Sequence, residues 1–328
     1  AGDLLFVSAR PAPRTGPPTT RPVEGGAGPD THAQPDRDTA VPDTAVPDKD
    51  VPALWVLPAD GGEARLLARR SGGVIHAYPA RAASTVVVTG KVLPGATGED
   101  DDARRRKQRT DHGVSAILHT GYPVRYWDHD LGPDEPHLLA ADLAVGEGPP
   151  GEERLTLRDL TPGVGPVLEE AGVDLARDGR TAVASWAARR ARGEVVSHLV
   201  VIDTATGDRR VLLADEHAEL ADPVISPDGR HVAYLREAHS APHQAPVVRV
   251  GVVGIDGSQP RLLADAWDRW PVQLAWLADG SGLLVVADDD GRAPVFRIGL
   301  ADGHVTRLTD DDFCYSDLQV APDGTTAY

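Results

Sequence analysis

Methionine is absent from this 328-residue chain, and cysteine occurs once, at Cys314. A lone thiol closes no internal disulfide, so the chain fits a reducing compartment without requiring one. No apolar run approaches the ~18 to 20 residues that span a bilayer. Basic charge is in deficit: 33 Lys and Arg stand against 50 Asp and Glu, a formal charge of −17. Such a surface repels a phosphate backbone and removes nucleic acid from the expected partners. The first ten residues carry neither the basic n-region nor the apolar h-region of a secretory signal. With no Met and an abrupt stop at Tyr328, the chain reads as a fragment, and the expectation is a soluble, cytoplasmic protein without membrane contact.

What is present, first of all, is repetition. An apolar residue, Pro or Ala, then Asp-Gly and a β-rich run recurs at residues 175–186 (LARDGRTAVASW), 225–235 (ISPDGRHVAYL), 276–286 (WLADGSGLLVV) and 320–328 (VAPDGTTAY). Between these copies lies a second motif, an alternating strand, a Gly-containing turn and an Arg-Leu-Leu type strand, at 199–213, 250–263, 295–308 and, far upstream, 54–67. The shared period of about 45 to 50 residues makes one repeat of four short strands, with Asp-Gly or Thr-Gly supplying the positive φ of tight hairpins. Four antiparallel strands per repeat of that length is a propeller blade. No segment sustains the i, i+3, i+4, i+7 pattern of a helical solenoid. The expected fold is an all-β, incomplete β-propeller: about five four-stranded blades (1–70, 74–170, 174–215, 224–265 and 272–309) plus a partial sixth at 318–328. The first blade is expected to lack its innermost strand, and the alternative architecture is a β-sandwich or irregular barrel.

Two insertions interrupt the repeats. Residues 11–52 are dense in Pro, Asp and Thr and cannot bury enough apolar surface to offset ordering entropy, so a disordered loop is expected. Residues 94–113 run acidic, then basic, and read as a solvated charged loop or a short charged helix.

The chain assembles no recognisable catalytic centre. A nucleophile elbow needs Gly-x-Ser-x-Gly, and the nearest approach, Gly113-Val114-Ser115-Ala116-Ile117, lacks the second glycine. Twelve histidines are scattered without metal spacing; His239 and His243 are four apart, but Pro242 disfavours a helix there. The Asp triplets 288–290 and 310–312 do not continue as calcium loops, and no phosphate-cradling glycine motif is present. No catalytic residue, metal or cofactor is expected in this chain. One stretch stands apart. In residues 116–142 the aromatics Tyr122, Tyr126 and Trp127 lie beside Arg125, Asp128, His129 and Asp130, a mixture that suits recognition. Its structural alternative has Trp127 packed between blades and Arg125 paired with Asp128.

The run YPVRYWDHDLGPDEPHLL resembles the second-blade segment of prolyl oligopeptidase-family serine peptidases, in the acylaminoacyl and dipeptidyl peptidase branch. The ISPDGRHVAYL-type repeats are equally similar to those of TolB-like propellers. The resemblance implies a propeller capping a C-terminal α/β-hydrolase domain of the same polypeptide, with Ser, Asp and His all beyond Tyr328. This chain is then a non-catalytic portion that gates access and helps orient short peptide substrates through Arg125, Trp127, Asp128, His129 and Asp130. The alternative is a TolB-like binding propeller that serves as a platform for protein partners.

Overall fold

Alternation along each strand decides where the core lies. The computed structural model describes residues 3–9, 51–119, 122–127, 129–143, 155–321 and 323–328. The first sheet has three strands in sequence order, β1 (Leu4–Ser8), β2 (Ala53–Leu57) and β3 (Arg65–Ala68). The second joins β4 (Val74–Pro79) to β5 (Thr85–Val92) and then departs from the repeat. Helix α1 (Glu99–Asp111) and a two-stranded ribbon, β6 (Arg125–Tyr126) and β7 (His129–Asp130), intervene before β8 (Glu135–Asp142) and β9 (Arg158–Asp159) complete it in the order β4-β5-β8-β9.

Three regular four-stranded sheets follow, each in sequence order. The third is β10 (Val173–Leu175), β11 (Thr181–Arg189), β12 (Val195–Asp203) and β13 (Arg209–Leu213). The fourth is β14 (Ala218–Ile225), β15 (His231–Ala238), β16 (Val247–Gly254) and β17 (Arg261–Leu263). The fifth is β18 (Trp270–Trp276), β19 (Gly282–Asp288), β20 (Val295–Gly299) and β21 (Val305–Arg307). All pairs are antiparallel, and a final hairpin bridging Val320 to Ala327 starts a further blade. The chain is thus an incomplete propeller of antiparallel blades, and the sheets do not close into a ring.

The middle strands are buried on both faces, so they read as continuous apolar runs rather than as half-polar alternations. Along β11, Ala182 and Ala184 pack toward the second sheet while Val183 packs toward the fourth. Along β19, Leu283 and Val285 face the fourth sheet while Leu284 and Val286 face the terminal hairpin at Leu318 and Val320. The core is therefore a series of layers between blades rather than one centre, which is why an arc can be stable without closing.

Polar contacts stitch the same seams. From the fourth strands of the second, third and fourth sheets an arginine reaches the carbonyl beside the third-strand turn of the following blade: Arg158 to Thr204, Arg210 to Ile255, and Arg261 to Leu300 at 2.6 Å. Nearer the axis, the Asp174 carboxylate accepts the Ile225 N–H at 2.6 Å.

Within residues 94–113 the acidic-then-basic order is the charge order that suits a helix dipole, with Glu99 to Asp102 in the first turn and Arg109 in the last. The helix is no solvated spectator. Asp102 is fully buried and accepts hydrogen bonds from Leu93 N (2.9 Å), Ser71 Oγ (3.1 Å) and Arg106 Nε (3.0 Å). Arg106 continues to Asp134 at 2.8 Å, tying the helix to the strand that returns from the ribbon. Except for Val51 and Pro52, the stretch 11–52 lies outside the described residues. No helix among the described residues is long and apolar enough to cross a membrane.

Candidate functional site

Strand direction gives the arc two unlike faces. One carries the Asp-Gly turns between first and second strands and between third and fourth. The other carries the connections between second and third strands, which are short in the third to fifth sheets but hold α1 and the ribbon in the second.

The ribbon is a hairpin with register Arg125 to Asp130 and Tyr126 to His129. Trp127 begins its turn with φ 28°, a left-handed conformation that is strained for a bulky residue, and its side chain is 98% exposed. This overturns the packing alternative, because Trp127 fills no gap between blades. Arg125 Nη1 lies 3.4 Å from Asp130 Oδ1 with both side chains more than half exposed, and Arg125 Nε donates to the Trp127 carbonyl at 3.4 Å. The Tyr126 and His129 rings meet edge to face with centroids 6.4 Å apart. The hairpin therefore brings together Arg125, Trp127, His129 and Asp130, while Asp128 lies outside the described residues.

Three carboxylates that sequence reasoning did not single out lie near enough to Tyr126 for their charge to act on it. Burial raises the Tyr126 phenol above its usual range, and the charges of Glu170, Glu169 and Glu219 push it further. Glu169 is itself raised by burial, against the pull of Lys91 and His129. Glu219, on β14, is raised by burial and by Glu237. Glu169 and Glu170 follow the short helical turn Pro166–Leu168 that leads into β10. Their signal was positional: acidic residues just before or at the start of an axis-lining first strand, where no salt bridge forms through Glu169, Glu170 or Glu219 among the described residues. Chemically, this is a half-buried acidic wall beside an exposed indole and a guanidinium. It suits a ligand with an ammonium group and a short extended backbone. No group of three or more His, Cys, Asp and Glu among the described residues is gathered to hold a metal ion.

No family model matches the chain. A stretch of 79 residues, 24% of the chain, is 34% identical to "Dipeptidyl-peptidase 5" of Trichophyton schoenleinii and covers 11% of that protein. A stretch of 92 residues is 36% identical to "Probable dipeptidyl-peptidase 5" of Aspergillus terreus, covering 28% of the chain and 12% of that protein. The similarity thus spans about a tenth of these curated relatives' length.

Among solved structures, the Pyrococcus horikoshii acylaminoacyl peptidase overlays 81% of the chain on 37% of its own, with TM-score 0.53 and 12% identity. The β-propeller domain of the Trilobed protease from Pyrococcus furiosus overlays 81% on 63%, with TM-score 0.50 and 12% identity. At that identity the overlays show the fold, a propeller. The resemblance to prolyl oligopeptidase-family peptidases, read first from the second-blade segment, is met again in the aligned dipeptidyl-peptidases and in a propeller shared with an acylaminoacyl peptidase.

Proposed function

We propose that this chain is the non-catalytic propeller portion of a serine peptidase, gating access of short peptides and orienting them for a hydrolase domain of the same polypeptide. One observation carries the reading: the second blade spends its insertion on a ribbon that holds Trp127 in solvent and Arg125 beside Asp130, next to the acidic wall of Glu169, Glu170 and Glu219. An indole held at 98% exposure stabilises nothing by burial, so its value lies in contact with something else. The acidic wall offers complementary charge to a peptide's amino terminus, and Arg125 offers a donor fork to a carbonyl or carboxylate. The compartment that suits the reading is the cytoplasm, since Cys314 is exposed and free.

The test uses the chain itself. Titration with trialanine should change tryptophan fluorescence, and Trp127→Phe should remove the change although five other tryptophans remain. In the polypeptide carrying the hydrolase domain, Arg125→Ala should raise KM for a peptide about tenfold while leaving a small ester unaffected. Equal losses on peptide and ester that follow a lower Tm would reduce the ribbon to a structural element. Absence of any response to short peptides would favour the alternative, a binding platform for larger partners.

A further inference from the structure

Behind the ribbon, between its stem and α1, lies a cavity of about 540 Å³ that the ribbon residues themselves do not line. Its apolar wall comes from the end of the second blade's β5 and from the ribbon stem: Leu93, Ile117, Leu118, Leu131 and Pro133. Its polar wall is basic. Arg105 and Arg109 come from successive turns of α1, His112 caps its C-terminal end, His119 comes from the irregular run after it, and Arg189 from the end of β11 in the next blade.

In a chain with a formal charge of −17, a cavity lined by this many cationic side chains is against the average and calls for a cause. The cations are also unevenly committed. Arg105 donates to Asp101 at 2.9 Å, but among the described residues Arg109 donates only to the Ala116 carbonyl, at 2.9 Å, and meets no carboxylate. Arg189 makes no side-chain hydrogen bond or salt bridge among the described residues, and its charge is felt only across the cavity at Glu135. Of the two acids in the lining, Asp134 is already held by Arg106 at 2.8 Å. The cavity therefore presents two guanidiniums with donors to spare, converging from a helix and from a neighbouring blade on an apolar hollow.

We propose that this cavity binds a carboxylate borne on a compact apolar body, with Arg109 and Arg189 as the anion's partners and Leu93, Ile117, Leu118 and Leu131 around the apolar part. Charge complementarity selects the carboxylate, because two guanidiniums that no carboxylate hydrogen-bonds among the described residues favour a planar two-oxygen anion. The apolar lining selects the body, since a small hydrated anion such as acetate leaves that wall in contact with water. The carboxyl end of a peptide with an apolar last residue and a free N-acyl amino acid share this chemistry. The inference rests on the cavity alone and does not require the ribbon to be a gate.

Calorimetric titration of the chain at low ionic strength tests it with N-acetyl-L-phenylalanine as the probe. The acid should bind, N-acetyl-L-phenylalaninamide should bind at least tenfold more weakly, and acetate should not compete. Arg109→Gln and Arg189→Gln should each weaken the acid about five- to tenfold, while Arg180→Gln, at an exposed turn on the opposite face, should leave it unchanged. Leu118→Glu, at a position already 87% exposed, should block binding by placing a competing carboxylate at the mouth while leaving Tm intact. Alanyl-alanyl-phenylalanine separates the sources: equal affinity assigns the cavity to a peptide's carboxyl end, and weaker affinity to a free acyl amino acid. An amide that binds as well as the acid, no heat from the acid, or full affinity in the double arginine variant would each overturn the proposal. Because N-acetyl-L-phenylalanine has no free amino group, its failure leaves the ribbon's reading standing, and failure of trialanine at the ribbon leaves this one standing.

Discussion

On the face that carries the Asp-Gly turns, the turn aspartates sit in the open and are held ionised; on the face that carries α1 and the ribbon, three glutamates are drawn under protein and resist ionisation. Backbone N–H groups of Thr206 and Ala205 lower Asp203, that of Ser281 lowers Asp279, that of His304 lowers Asp302 and that of Thr325 lowers Asp323. In each case an aspartate accepts the N–H two residues on and so closes its own turn. Glu135, Glu169 and Glu219 on the other face are raised, with burial as the leading cause in all three. One face uses charge to finish local structure. The other keeps glutamates half-buried, where the charges of Lys91 and His129 on Glu169, and of His137 and Arg189 on Glu135, only partly offset the cost of burial.

The comparison breaks most visibly at Asp102, among the described residues the one carboxylate of the insertion face that is both fully buried and fully bonded. Asp102→Ala leaves the buried Leu93 N–H without its acceptor, takes from Arg106 one of its two carboxylate partners and removes the anchor of α1. It should cost about 3 kcal/mol, in the range for breaking a buried charged network, and appear as a lower Tm with faster hydrogen exchange along the helix. Full retention of both would mean that α1 is held by its surface alone.

A sharper contrast lies within the turn face. Gly179 and Gly229 occupy the same turn position with φ of 73° and 72°, yet a Cβ at Gly179 would lie 2.6 Å from Thr85, and one at Gly229 would meet nothing within 4 Å. Gly229→Ala should cost about 1 to 2 kcal/mol for the left-handed backbone alone. Gly179→Ala should cost a further ~1 to 3 kcal/mol, because the second blade must give way. Equal losses in urea denaturation would show that the seam between these blades is soft.

That pair of glycines marks where sequence reading succeeds and where it stops. Repeats at 175–186, 225–235 and 276–286 make the turn and its positive φ legible, since both are settled within a few residues. The partner across the seam is not legible, because Thr85 belongs to another repeat. The same limit hid the role of Arg158, Arg210 and Arg261: the recurrent Arg-Leu-Leu type strand that holds the last two was plain, but each arginine's carbonyl lies 39 to 46 residues further on. It also hid the acidic wall, as Glu169 and Glu219 lie fifty residues apart and meet the ribbon only in space. The ribbon itself stood out through composition, with aromatic and charged residues crowded where a blade hairpin alternates. Its composition does not reveal that Trp127 faces solvent.

The smallest effect tests the comparison at its root, the opposite handling of carboxylates. The turn aspartates have folded-state pKa values below the unfolded ~3.9, so the stability they contribute is present above that pH and is lost as the pH falls through their folded values. Glu169 and Glu219 have folded values above the unfolded ~4.3, so their contribution is full below that pH and is lost as the pH rises through their folded values. At neutral pH the first group supports the fold and the second weighs against it. Asp302→Asn should therefore lower Tm at pH 7, with the difference narrowing toward pH 3. Glu169→Gln and Glu219→Gln should each raise Tm at pH 7 by an amount on the order of 1 °C, with the gain shrinking toward pH 4. A peptide's ammonium at this wall would relieve the same cost, so the glutamine variants should be slightly more stable when empty and less stabilised by trialanine. Loss of stability at pH 7 on removing either glutamate's charge would show that these carboxylates are already satisfied, and the distinction between the two faces would fall with it.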